Sequence, residues 1–341
     1  MPPNRPPNGP PDLPPDLRPD GPVDLPGTSR RAFVAAASAA SVAAALGIPA
    51  SHASTSLSAP DLPATGAAIR RAIPNSGEEV PVIGMGNWIT FNVGDSSRSR
   101  DARADVLKVF FERGGRVIDS SPIYGLSEDV IGYCLDKIGR RNELFGATKV
   151  WTPLDGHGVS QMAESRKLWG VEAFDLMQIH NLVNWEGHLD TLAADKAAGR
   201  IRYIGITTSH GSQHGEMERV MADQRIEAVQ FTYNMIDRAA ERRLLPMAAE
   251  RGHAVVINRP FRRGELFRRF AKHPLPAWSA EIDCTGWAQF FLKFVVSHPA
   301  VTCAIPATSR VDHMVENMGA LYGGLPDAAL RARMSKYVES L

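Results

Sequence analysis

Cysteine is scarce in this chain. Its 341 residues hold three, Cys134, Cys284 and Cys303. An odd number, far apart, argues against a disulfide framework and carries no C-x-x-C metal or redox spacing, so each reads as a small buried hydrophobe. Excess charge is lacking too: 38 Lys and Arg against 37 Asp and Glu leave +1, no electrostatic footprint for nucleic acid or an anionic membrane. No third glycine follows Gly84-Met85-Gly86, which removes the G-x-G-x-x-G mark of an open, doubly wound dinucleotide sheet. The scattered histidines His157, His188, His210 and His214 read as no H-x-H or H-x-x-x-H strand-end arrangement, which argues against a metal-dependent barrel hydrolase. The alanine-heavy run that ends at Ile48-Pro49 is too short to span a bilayer comfortably.

Proline, by contrast, is concentrated. Residues 1–27, MPPNRPPNGPPDLPPDLRPDGPVDLPG, are too rich in proline and glycine to build a core and are expected to be disordered. In residues 28–53, Arg30 and Arg31 precede Phe33 and a mildly apolar stretch, with Ser51 and Ala53 at −3 and −1 of a cleavage point before Ser54. This order resembles a twin-arginine export signal. It implies the twin-arginine export machinery as a partner, no stable membrane insertion after cleavage, and a periplasmic or cell-envelope location. A cytoplasmic location is the alternative. Residues 54–79 read as a linker leading into a single domain over 80–341.

That domain repeats one pattern: a short apolar run, a polar turn, then a longer amphipathic stretch. The runs are VPVIGMG (80–86), RVIDS (116–120), LFGATKV (144–150), FDLMQIH (174–180), IRYIGIT (201–207), AVQFTY (228–233), AVVINRP (254–260) and VTCAIPA (301–307). Between them RADVLKVFFERGG has helical spacing and stops at Gly114-Gly115, and HLDTLAADKAAGR stops near Gly199. Eight strand–helix units in about 260 residues predict an α/β fold of the closed (β/α)8 TIM-barrel type.

In such a barrel the C-terminal strand ends converge on one face. They carry Asp119 after the second run, Lys149 in the third and His180 closing the fourth, with Tyr124 in the loop after Asp119. The set suits one chemistry. A phenol titrates near pH 10, a neighbouring ammonium eases its ionisation, and an aspartate steadies the ammonium. A histidine can orient a carbonyl oxygen. Such a set delivers a proton to an oxygen turning from carbonyl to alkoxide, and the natural partner is hydride from a nicotinamide. Singly, each residue has a plainer reading: a helix cap, a packing aromatic, a surface lysine, a core histidine. The joint order favours catalysis.

The stretches VIDSSPIYGLSED, ATKVW, DLMQIHN, GRIRYIGIT, VQFTYN and AIPATSRVDHMVEN together resemble the aldo-keto reductase family, from about Val80 to the C-terminus. The resemblance implies that Asp119, Tyr124, Lys149 and His180 are the catalytic four and that the dinucleotide lies across the barrel mouth. It implies nicotinamide contacts at Gln230, at Thr207 and Thr208 (where relatives often have Ser-Asn), and at Asn258 (where many have an aromatic). It places the adenosine end on Ser309, Arg310, Glu316 and Asn317. An arginine fork suits a ribose 2′-phosphate, so NADPH is expected over NADH, although Ala307 stands where some relatives keep a lysine. No metal is expected.

Trp88, Trp151 and Trp185 stand in strand-end loops. They read either as rim packing or as the lining of an apolar pocket for a medium-sized aldehyde or ketone. The expected function is NADPH-dependent reduction of such a carbonyl. The alternative is a cofactor-binding interaction protein with little turnover.

Overall fold

The computed structural model describes residues 66–209 and 211–341. The proline-rich segment and the export-signal reading of 28–53 lie outside the described residues. Two short strands, β1 (Arg70–Ala72) and β2 (Glu79–Pro81), form an antiparallel hairpin. Eight more form one sheet of parallel neighbours in chain order: β3 (Met85–Gly86), β4 (Val117–Asp119), β5 (Phe145–Val150), β6 (Phe174–His180), β7 (Ile201–Thr207), β8 (Ala228–Thr232), β9 (Ala254–Asn258) and β10 (Cys303–Ala304). Parallel bridges Ile83–Ala304 and Gly86–Ala307 join its two edges into a barrel. The predicted (β/α)8 fold is the fold observed. The run at 80–86 is shared between two sheets, its start in the hairpin and its end in the barrel.

The helices wrap this sheet: α1 (Ser97–Glu112), α2 (Ser127–Ile138), α3 (Asp155–Trp169), α4 (Trp185–Ala197), α5 (His214–Val220), α6 (Leu244–Arg251), α7 (Glu265–Phe270), α8 (Trp287–Val296), α9 (Val311–Gly319) and α10 (Ala328–Glu339). Their local causes are readable. Ser96 caps α1 by accepting from the Ser99 N–H, and the helix buries Val106, Leu107, Phe110 and Phe111. Gly114 then turns the chain at a φ of +82°, a left-handed value that favours glycine.

Strand alternation sorts the barrel interior. Low in the barrel, Val117, Phe145, Leu176, Tyr203, Ala228, Ala254 and Val256 pack with Ile73 and Val80 of the hairpin. The hairpin closes that end. Two or four residues further along the strands, the inward positions turn polar: Asp119, Lys149, Gln178, Gln230 and Asn258, with His180 and Thr207 in register beside each other. Apolar filling below therefore pushes the polar groups to the C-terminal mouth, and the site follows from that layering. All three cysteines are buried and free, as expected. Among the described residues no helix is long and apolar enough to cross a membrane.

Candidate active site

Asp119 ends β4 and is 3% exposed. Its Oδ2 accepts from Lys149 Nζ at 2.5 Å, and the Ser120 carbonyl accepts from the same ammonium at 2.6 Å. Lys149 is fully buried, so the surface-lysine reading is excluded. Burial opposes its charge, yet the Asp119 carboxylate, by its charge and its hydrogen bond, helps to outweigh burial, and the ammonium is held above its ordinary value. Its nitrogen lies 5.4 Å from the Tyr124 ring centre.

Tyr124 sits in the turn between β4 and α2 and is half-buried. Burial pushes its phenol above the usual 10.0, against the opposing pull of Lys149. The resting phenol therefore holds its proton. The His180 ring stands edge-on to it at 5.9 Å and 85°. Burial, then the Lys149 charge, take that imidazole well below 6.5, so it is neutral. Its Nδ1 is 2.9 Å from the Ser121 Oγ. With Ser121 as donor, Nε2 carries the ring proton.

The structure thus gathers the four predicted catalytic residues into one cluster, together with residues that the sequence reading passed over. Gln178 Nε2 donates to Asp119 Oδ1 at 2.7 Å. Asn87 donates to the Asp119 carbonyl and accepts from Ser120 Oγ, each at 2.9 Å. Gln178 was legible: it lies two residues before His180 in DLMQIH and so faces the same side. Ser121 and Asn87 carry no such signal.

The predicted nicotinamide contacts also assemble. Gln230 donates to Asp119 Oδ1 at 2.9 Å and to Gln178 Oε1 at 2.9 Å, and its Oε1 accepts from Thr207 at 3.2 Å and Asn258 at 3.3 Å. Asn258 also donates to the Thr208 carbonyl at 2.9 Å, while the Thr208 hydroxyl turns to Met217. A ligand amide would exchange for these bonds rather than add to them. The adenosine-end residues lie apart, on the β10–α9 connection and on α9. Arg310 is exposed and paired with Asp312. Glu316 accepts from the Ala288 N–H at 3.2 Å at the start of α8, and Asn317 is buried.

The three tryptophans differ from one another. The Arg263 guanidinium lies 4.5 Å from the centre of the Trp88 ring. Gln161 brackets the Trp151 backbone at 2.7 and 3.2 Å. Trp185 opens α4 and packs partly against the core. Ile89, Leu126 and Leu154, in the loops after β3, β4 and β5, are each about half exposed, so the rim beside Tyr124 is apolar. Below Asp119 the barrel encloses a cavity of ≈20 Å³ lined mainly by apolar side chains, room for about one water and none for a substrate. His210 and His214 do stand four residues apart, with His210 outside the described residues. Among the described residues no group of three His, Cys, Asp or Glu is placed to hold a metal.

A parallel barrel with an Asp–Lys–Tyr–His set at its mouth defines a class of carbonyl oxidoreductase, and comparison gives the family. The pattern of the aldo/keto reductase family matches residues 82–333; the chain belongs to that family and is an NAD(P)H-dependent oxidoreductase. It is 26% identical over 196 residues to the aldo-keto reductase YhdN of Bacillus subtilis, covering 52% of this chain and 58% of that one. It is 26% identical over 285 residues to the aldo-keto reductase str7 of Strobilurus tenacellus, covering 71% and 84%. In fold it is similar to an aldo/keto reductase from Klebsiella pneumoniae solved with NADP and acetate, at a TM-score of 0.68 and 21% identity over 78% of this chain and 94% of that one.

Proposed function

We propose that the protein reduces an apolar, medium-sized aldehyde or ketone to the alcohol with NADPH, and that Tyr124 is the proton donor. The observation that carries this reading is the phenol set between the buried Lys149–Asp119 pair and the neutral His180 ring. A bound reduced nicotinamide supplies hydride to the carbonyl carbon. The protein does the rest. His180 Nε2 donates to the carbonyl oxygen and orients it. Tyr124 passes its proton to that oxygen as negative charge develops. Lys149 stabilises the phenolate left behind, and Asp119 keeps the ammonium fixed. Thr207, Gln230 and Asn258 offer a hydroxyl and two amides for a carboxamide. Ser309 and Arg310 offer a hydroxyl and a guanidinium for a phosphate, with Arg310 released from Asp312. The relatives' NADP-bound structure and the exposed Ile89, Leu126 and Leu154 support the cofactor and substrate classes.

The test is a fluorescence titration of the full-length protein with NADPH and with NADH, followed by turnover on a panel of aromatic and aliphatic aldehydes. NADPH should bind more tightly and be oxidised only when aldehyde is present. Tyr124→Phe should lower turnover by about 10²–10⁴-fold and leave NADPH affinity within about twofold. Near-normal turnover in that variant sinks the assignment of the donor. Binding without oxidation across the panel would favour the interaction-protein reading.

A further inference from the structure

Asp119 is held from two sides. Lys149 takes Oδ2, while Oδ1 accepts from two amides, Gln178 at 2.7 Å and Gln230 at 2.9 Å. These amides are themselves joined, Gln230 Nε2 donating to Gln178 Oε1 at 2.9 Å. Gln178 occupies a made space: a Cβ added at Gly205, its neighbour in register, would stand 3.0 Å from Gln178 Cγ. No other ionisable group near this carboxylate donates a hydrogen bond to Oδ1 among the described residues. Lys149 of β5 holds Oδ2, Tyr124 acts from the loop after β4, His180 of β6 is turned to Ser121, and Cys303 of β10 bonds near Gly84. Arg259, after β9, acts on Tyr124, and Glu128 of α2 acts on Lys149. The donors to Oδ1 are thus the two glutamines.

Gln230 joins Asp119 through Nε2 and the predicted cofactor contacts through Oε1. If its amide turns to a nicotinamide carboxamide, Asp119 keeps one donor on Oδ1. We propose that Gln178 is a positioning residue of the proton-delivering set: it keeps Asp119 hydrogen-bonded while Gln230 engages the cofactor, and so sets how much of the Lys149 charge reaches Tyr124. The inference rests on the reductase reading. Without the Gln178 amide the carboxylate is less neutralised. It offsets more of the ammonium, and the phenol keeps its proton to higher pH.

The experiment is the pH profile of turnover with saturating NADPH for the full-length wild type, Gln178→Met and Gln178→Glu. Circular dichroism and NADPH titration serve as checks of folding and cofactor binding. Gln178→Met should move the basic limb of carbonyl reduction upward by about half a pH unit or more with NADPH affinity unchanged. Gln178→Glu sets a second carboxyl against Asp119, and the pair should share a proton. Its profile should gain an ionisation step that the wild type lacks. Should the wild type oxidise no NADPH with any carbonyl, the reductase reading falls and this inference with it. If the wild type turns over while both folded, NADPH-binding variants keep its limbs, the inference alone is overturned. A uniform loss of rate with unmoved limbs would assign Gln178 a merely structural role and would overturn it equally.

Discussion

At the scale of the residue, His180 shows how burial selects a role. A solvated imidazole near pH 6.5 would be half charged, and a charged ring beside Lys149 would repel it. Burial and that neighbour keep the ring neutral in the fold. The sign for stability follows. Below 6.5 the unfolded chain binds a proton at this site and the folded chain does not, so stability present above 6.5 is lost as pH falls towards the folded value. The half-buried His298 and the buried His253 are lowered in the same sense, also by burial, so the slope is shared. His180→Gln should remove one proton's part of it, at most about 1.4 kcal/mol per pH unit. Urea unfolding midpoints between pH 7.5 and 5.5 measure this. An unchanged slope would show that His180 takes up its proton in the folded protein as readily as in the unfolded chain, against its proposed role.

At the scale of the element, the barrel depends on close helix contacts that apolar patterning does not announce. Gly132, in the middle of α2, faces the end of α3 so tightly that an added Cβ would meet the Leu168 carbonyl oxygen at 1.9 Å. Backbone cannot yield as a side-chain tip can. Gly132→Ala should therefore cost about 1–3 kcal/mol, or more, by forcing α2 and α3 apart, although alanine is the better helix former. Denaturant midpoints decide it, and a stabilised variant would mean that the helices separate freely. Elements such as the β6 run were legible because β-rich apolar runs and glycine stops are local signals. The strand-end cluster was legible because Asp119, Lys149 and His180 fall at the ends of successive runs. What was not legible depends on contacts across the chain: that the 80–86 run splits between two sheets, that β1 and β2 pair, and that Ser121 and Asn87 complete the site. Gln230 shows the boundary between the two cases. Its inward face follows from alternation, whereas its bond to Asp119 links positions 111 residues apart.

At the scale of the whole molecule, the two ends of the barrel carry different duties. The mouth holds buried charge, the Lys149–Asp119 pair, which contributes little to stability for what its desolvation costs. The opposite end is sealed by the β1–β2 hairpin, and its attachments are structural. Arg71 donates to the Val296, His298 and Pro299 carbonyls at 3.0, 3.0 and 2.6 Å, just where α8 ends. Glu78 accepts from Arg202 and, at 2.9 Å, from the Tyr203 hydroxyl. Ile73 and Val80 then fill the barrel floor beneath Val117, Phe145 and Tyr203. Substitution at the floor should consequently change stability without touching the reaction. Ile73→Ala removes buried aliphatic volume and should cost about 2–5 kcal/mol. NADPH affinity and turnover at a temperature where the variant is folded should stay within about twofold of wild type. Chemical denaturation and a nucleotide titration on the same preparation give both numbers. A large loss of turnover in the folded variant would mean that the hairpin transmits its packing through the floor to Asp119, and that the two ends are one mechanical unit. Equal turnover with lower stability would leave the mouth residues as the whole of the catalytic machinery.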